Sequence, residues 1–142
     1  MNTRIRRRFC NGIEVVTLTT REASVTVAPA LGGRLVSLRD RLAGREWLDG
    51  WAPAAKRRLW HPADPADFAT GPGAGADECL PTVLACSVEG RALADHGEIW
   101  NQPAQTRITS SSSDNGPALE CSWCLKQLPL RFQRVLALVG NR

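Results

Sequence analysis

His96 is one of only two histidines in the chain, and its surroundings are acidic. Asp95 and Glu98 stand beside it, and Asp77 and Glu78 open the segment 75–103 that contains it. Imidazoles titrate near neutral pH and pass protons in either direction, and a neighbouring carboxylate can orient the ring or act as its counterpart. Ionisable groups are costly to bury without partners. A carboxylate pair, a short apolar run and then Asp-His-Gly-Glu followed by Trp100 therefore reads as the wall of a site, with Trp100 offering a flat apolar face. A plain structural role stands beside each of these readings. His96 could be a satisfied structural histidine, the carboxylates solvated or arginine-paired loop charges, and Trp100 a core aromatic. His61, with Asp64 three residues on, is either a second acid/base pair or a surface histidine in a loop.

The five cysteines, at 10, 79, 86, 121 and 124, form an odd set in a chain without a secretory signal, which argues against a disulfide framework. Cys121-Ser-Trp-Cys124 invites a zinc or redox reading. In a strand, however, residues three apart point to opposite faces, so the two thiols would converge only at a turn or bulge. No second closely spaced pair accompanies them, and we read the cysteines as small, reduced and buried, with no metal site.

A chain of 142 residues is expected to form one domain with a real core. No apolar run approaches the roughly 18 residues that span a bilayer, so no membrane partner is expected. The basic start Arg4–Phe9 leads into Asn11, Gly12 and Glu14 rather than an apolar leader, which implies a cytoplasmic address. The net charge of +4 comes from arginines scattered along the chain, apart from the clusters 6–8 and 56–58. Only Phe9 and Trp60 lie near those clusters, where nucleic-acid surfaces interleave stacking aromatics. We read the charge as solvated surface and expect no nucleic-acid partner.

Short alternating runs set the fold class. Residues 13–20, 23–28 and 34–39 are β-branched and alternating, the first two forming a hairpin, and Pro29 with Gly32-Gly33 breaks the run before the third. Prolines 53, 62, 65 and 72 interrupt residues 50–75, which read as a long connecting loop with at most one helical turn over 52–61 and a brief strand near Phe68. Further strands follow over 105–110, 119–125 and 128–139, the first two joined by an Asn115-Gly116 turn. With a strand-like run between Cys79 and Cys86 and no long helical period, the pattern predicts an all-β protein, an antiparallel β-sandwich.

Five ordered blocks then carry a resemblance: residues 27–38, Gly44-Arg-Glu-Trp-Leu48, Asp77-Glu-Cys-Leu-Pro-Thr82, Asp95-His-Gly-Glu-Ile-Trp100 and Leu128-Pro-Leu-Arg-Phe-Gln-Arg134. Together they resemble the aldose 1-epimerase, or galactose mutarotase-like, family. The likeness spans nearly the whole chain but only the N-terminal part of the family's domain. It implies part of an antiparallel β-supersandwich with a sugar site on one sheet face, and a substrate that is a free or phosphorylated aldose.

Anomer exchange needs a base to take the anomeric hydroxyl proton and an acid to protonate the ring oxygen, so that the ring opens, rotates and recloses. It needs no metal or organic cofactor. The resemblance places His96, followed by Gly97, in the sugar pocket near the ring oxygen as a contact and proton donor. Asp77 and Glu78 would accept bonds from sugar hydroxyls, and Trp100 would stack on a pyranose.

The family's second histidine and catalytic glutamate have no counterpart. Beyond residue 96 there is no histidine, and the carboxylates are Glu98, Asp114 and Glu120. Two readings follow: an aldose 1-epimerase-type isomerase, incomplete and weakly active or inactive alone, or a non-catalytic carbohydrate-binding or structural β-domain. Either would leave strand edges exposed, so homo-oligomerisation or instability is expected.

Overall fold

Alternation decides the first sheet. In β2 (Ile13–Thr19) and β3 (Ala23–Ala28), every second residue faces inward, so Val16, Leu18, Val25 and Val27 share one face and are at most 5% exposed. Thr20 closes the turn between them, its hydroxyl accepting from the backbone N–H groups of Glu22 and Ala23 at 3.2 and 3.0 Å. The computed structural model describes residues 2–10, 12–48, 68–70, 75–110 and 116–139. His61, Asp64, the 56–58 cluster, the helical turn over 52–61, Asp114 and the first part of the 111–117 turn lie outside the described residues.

Five strands form this sheet in the order β1-β2-β3-β4-β5, with β1 at Arg4–Cys10, β4 at Arg34–Asp40 and β5 at Arg45–Glu46, each antiparallel to its neighbours. β1 is a strand that the sequence reading does not include; it takes Arg4–Phe9 as a basic start with solvated charge, and Arg4, Arg6, Arg7 and Arg8 are indeed exposed. Its alternation was hidden by charge on both faces. Arg4, Arg6 and Arg8 lie on the outer side and Ile5 packs into the core, while Arg7 turns inward to Glu14 at 3.0 Å. Charged side chains suit an edge strand, where they discourage pairing with other chains. A β-bulge between Thr26 and Val27 shifts the β3–β4 register, and on the outer face Val36 packs with Val15, Ala28 and Leu31 in a second buried cluster.

The second sheet has three antiparallel strands in the order β10-β9-β8, with β8 at Gln105–Ser110, β9 at Pro117–Cys124 and β10 at Arg131–Leu136. Leu119, Cys121 and Trp123 of β9 meet the inner residues of β2 and β3, and Ile99 joins them. Trp123 stacks on its cross-strand neighbour Phe132 at 5.4 Å between ring centroids. The result is an all-β, antiparallel, sandwich-like fold, and among the described residues there is no α-helix.

A separate hairpin, absent from the sequence reading, joins β6 (Cys86–Val88) and β7 (Arg91–Leu93). Its turn residues Glu89 and Gly90 have φ of 51° and 75°, as a two-residue hairpin turn demands, although Glu is an unusual choice there. The strand-like run expected between Cys79 and Cys86 is instead irregular chain, with a single bridge at Leu80. The strand expected near Phe68 is instead a 3-10 turn, Phe68–Thr70. No helix among the described residues is long and apolar enough to cross a membrane.

Two outcomes follow for stability. Leu18 is fully buried between the sheets, and Leu18→Ala is expected to destabilise the fold by about 2–5 kcal/mol in urea denaturation, through lost transfer energy and a cavity. Glu46 accepts bonds from the Ser37 hydroxyl and the N–H groups of Leu38, Trp47 and Leu48. Burial pushes its pKa up, but the four donors outweigh burial and hold it below the ordinary value. Its contribution is thus fully present above the ordinary glutamate pKa and lost as pH falls through the lower folded value. Urea midpoints between neutral and acidic pH are expected to fall less steeply for Glu46→Gln than for the wild type.

Candidate functional site

The segment carrying His96 is fastened to one end of the sandwich by its backbone. Ala76 exchanges two backbone hydrogen bonds with Leu35 at the start of β4, both 2.9 Å. Further along, Leu80 and Gly97 form a parallel bridge, Leu80 accepts from the N–H of Glu98 at 2.8 Å, and His96 N–H reaches the Val83 carbonyl at 3.2 Å. A Cβ at Gly97 would lie 2.1 Å from the Leu80 oxygen, so only glycine permits this approach. The 3-10 turn Ile99–Asn101 then drives Ile99 and Trp100 inward, with 0% and 2% exposure. Gly32 lets the β3–β4 loop pass directly over them, since a Cβ there would sit 2.0 Å from the Trp100 carbonyl oxygen.

His96 adopts a left-handed backbone conformation, φ 58°, which non-glycine residues rarely take. Its Nδ1 lies 2.8 Å from Asp95 Oδ2, and its ring stacks on Phe68 with centroids 3.7 Å apart and planes 5° from parallel. Phe68 in turn stands edge-on to Trp100 at 5.1 Å, and the Trp100 indole N–H donates to the Gly97 carbonyl at 3.1 Å. The imidazole is thus gripped on one face and at one nitrogen, while the side chain keeps 27% of its surface exposed. With Nδ1 directed at Asp95, Nε2 is the other ring nitrogen able to exchange a proton.

The other carboxylates of the segment have separate partners. Asp77 Oδ1 accepts from Arg34 Nε at 2.7 Å, with only 6% of the arginine and 13% of the aspartate side chain exposed. Burial pushes the Asp77 carboxyl above its ordinary pKa, against the opposing pull of Arg34 and Arg134. Glu78 accepts from Arg134 Nη1 at 2.9 Å. The Arg134 guanidinium also donates to the Gly33 carbonyl and lies over the Trp123 ring, 5.6 Å from its centroid. Glu98 points away from any cluster with His96 and instead receives the backbone N–H groups of Lys126 and Gln127 at 2.7 and 3.1 Å, pinning the β9–β10 connection.

The four sequence candidates therefore take different positions. His96 is partly exposed, Asp77 and Glu78 are each committed to an arginine, and Trp100 is buried behind Phe68, which leaves its own ring almost no surface for a stacked sugar. Glu120 is bound to Arg107 at 2.9 Å on the outer face of the second sheet. Sequence reasoning missed Phe68, Arg34 and Arg134, whose partners lie far away in the chain. Strand alternation over 131–136 could have flagged Arg134 as inward-facing.

The thiols divide by exposure. Cys121 is buried and Cys124 exposed, so the Cys-Ser-Trp-Cys pair does not converge. Burial, helped by nearby Asp77, Glu78 and Asp95, raises the Cys79 thiol pKa, which keeps it protonated and poorly nucleophilic. Among the described residues no three His, Cys, Asp or Glu side chains are grouped to hold a metal ion.

The Arg34–Asp77 pair is open to a double-mutant cycle. Arg34→Met or Asp77→Leu alone is expected to cost about 3–5 kcal/mol in guanidinium denaturation, because each strands a buried charge. The double variant is expected to cost clearly less than the sum. No protein-family model and no curated protein matches this chain.

Proposed function

We propose that the chain is a cytoplasmic, carbohydrate-handling β-domain of the aldose 1-epimerase type, in which His96 exchanges a proton with a free or phosphorylated aldose. The observation that carries this reading is the support of the imidazole. Asp95 fixes one ring nitrogen and Phe68 one ring face, while part of the ring meets solvent. A histidine needed only for packing has no use for both restraints and an open side. In its protonated form His96 gives the Nε2 proton to the ring oxygen while a base takes the proton of the anomeric hydroxyl. Both transfers reverse on reclosure, so the sugar inverts C1 with no net gain or loss of protons.

In this reading the pairs with Arg34 and Arg134 orient Asp77 and Glu78 while leaving Asp77 Oδ2 and Glu78 Oε2 as acceptors for sugar hydroxyls. Trp100 acts through Phe68, which it backs edge-on. A second reading, binding without catalysis, is favoured by one feature. Asp77, Glu78, Asp95, Glu98 and Glu120 all have partners, so no carboxylate among them stands free as the base.

Polarimetry on freshly dissolved aldoses and aldose phosphates separates the readings. Under the first, His96→Ala lowers the catalysed rate of mutarotation by about a hundredfold or more, and Asp95→Asn by a smaller factor. Sugar binding without acceleration over buffer establishes the second. Neither binding nor acceleration with any aldose refutes both.

A further inference from the structure

We infer that β10 is the edge through which two copies of this chain pair, antiparallel, about a two-fold axis at Gln133. The sheets are unequal, three strands against five. β8 lies over β1, where Arg7 donates to the Thr106 hydroxyl at 3.1 Å, and β10 reaches the β3–β4 loop through Arg134 and Gly33. Among the described residues nothing continues the smaller sheet past β10. On the larger sheet Leu38, Leu42 and Trp47 are 38%, 68% and 55% exposed around a hollow of about 430 Å³.

The free edges differ in how well they are guarded. β1 carries exposed Arg4, Arg6 and Arg8 around one exposed aromatic, Phe9, and three like charges repel a second copy of themselves more than the single exposed arginine of β10, Arg131, does. β8 is tied to β1 and shows one exposed large apolar side chain, Ile108. β10 is the more apolar of these edges. Leu130, Val135 and Val139 are each more than half exposed on or beside it, and the charge of Arg134 is already answered by Glu78.

Charge also picks the register. Two centred antiparallel pairings use the whole strand. One sets Arg134 against itself, a like-charge pair directly opposite, which is destabilising. The other, centred on Gln133, sets Gln133 against its own copy, Arg131 against Val135, Phe132 against Arg134 and Leu130 against Leu136. It opposes no like charges, keeps inner residues facing inner residues, and is self-complementary as a two-fold interface must be.

Sedimentation velocity over a concentration series tests this with charge placed at one exposed site. The wild type is expected to dimerise reversibly. Val135→Lys sets a cation against Arg131 of the second copy and is expected to weaken the dimer by about tenfold, since the pair occurs twice per interface. Glu120 lies opposite Val135 on β9, which favours retention of the fold, to be checked by circular dichroism. Adding Arg131→Glu to Val135→Lys is expected to restore the wild-type affinity. A wild type that stays monomeric throughout, a dimer indifferent to Val135→Lys, or a double variant that fails to recover overturns the proposal.

Discussion

Two guanidinium–carboxylate pairs hold the end of this sandwich together. Arg34 begins β4, Arg134 lies mid-way along β10, and the consecutive Asp77 and Glu78 receive one guanidinium each. Both sheets are thereby bound to one short stretch of irregular chain. The buried Arg34–Asp77 pair adds little net stability over apolar side chains of similar size, because desolvation offsets much of the attraction, and the partly open Arg134–Glu78 pair is screened by solvent. What they supply is position. A carboxylate that must find its arginine in a poorly hydrated place has few alternative arrangements, and the backbone from Gly75 onward inherits that restriction.

Restriction then passes along the segment by close backbone contact. Ala76 pairs with Leu35, Gly97 fits against the Leu80 carbonyl, and Trp100 lies under Gly32. Each contact depends on a missing side chain or on paired backbone groups, so it tolerates little slack. His96 sits between two of these contacts, and its ring is further confined by Asp95 and Phe68. The proposed proton chemistry therefore rests on an imidazole whose position is set by the sandwich core rather than by a free loop, a condition for productive orientation.

The sequence made the sandwich legible where apolar and β-branched residues alternate with polar ones. The inner residues of β2, β3 and β9 meet across the core, and β4 is anchored by Val36 in the second, outer cluster. β8 and β10 lie within a few residues of the bounds expected for them. β1 was illegible because arginines occupy both its faces, and β6–β7 because its strands are exposed and its turn uses Glu89 rather than Asn or Asp. At the site, the contact between Asp95 and His96 could be read from adjacency. The ion pairs could not, since 43 residues separate Arg34 from Asp77 and 56 separate Glu78 from Arg134. In sequence, the carboxylates around His96 read as one acidic ring, whereas tertiary pairing divides them among three unrelated tasks.

The left-handed backbone at His96 filters what can ever replace that residue. Side chains branched at Cβ clash in this conformation, while Asn, Asp and Gly enter it with least strain. Valine, isoleucine and threonine are thus excluded before any question of chemistry arises. The accessible neighbours in sequence space are mostly small and polar, so drift at this position would strip away the imidazole yet spare the turn, leaving the proposed site with its fold intact and its proton chemistry gone in a single step.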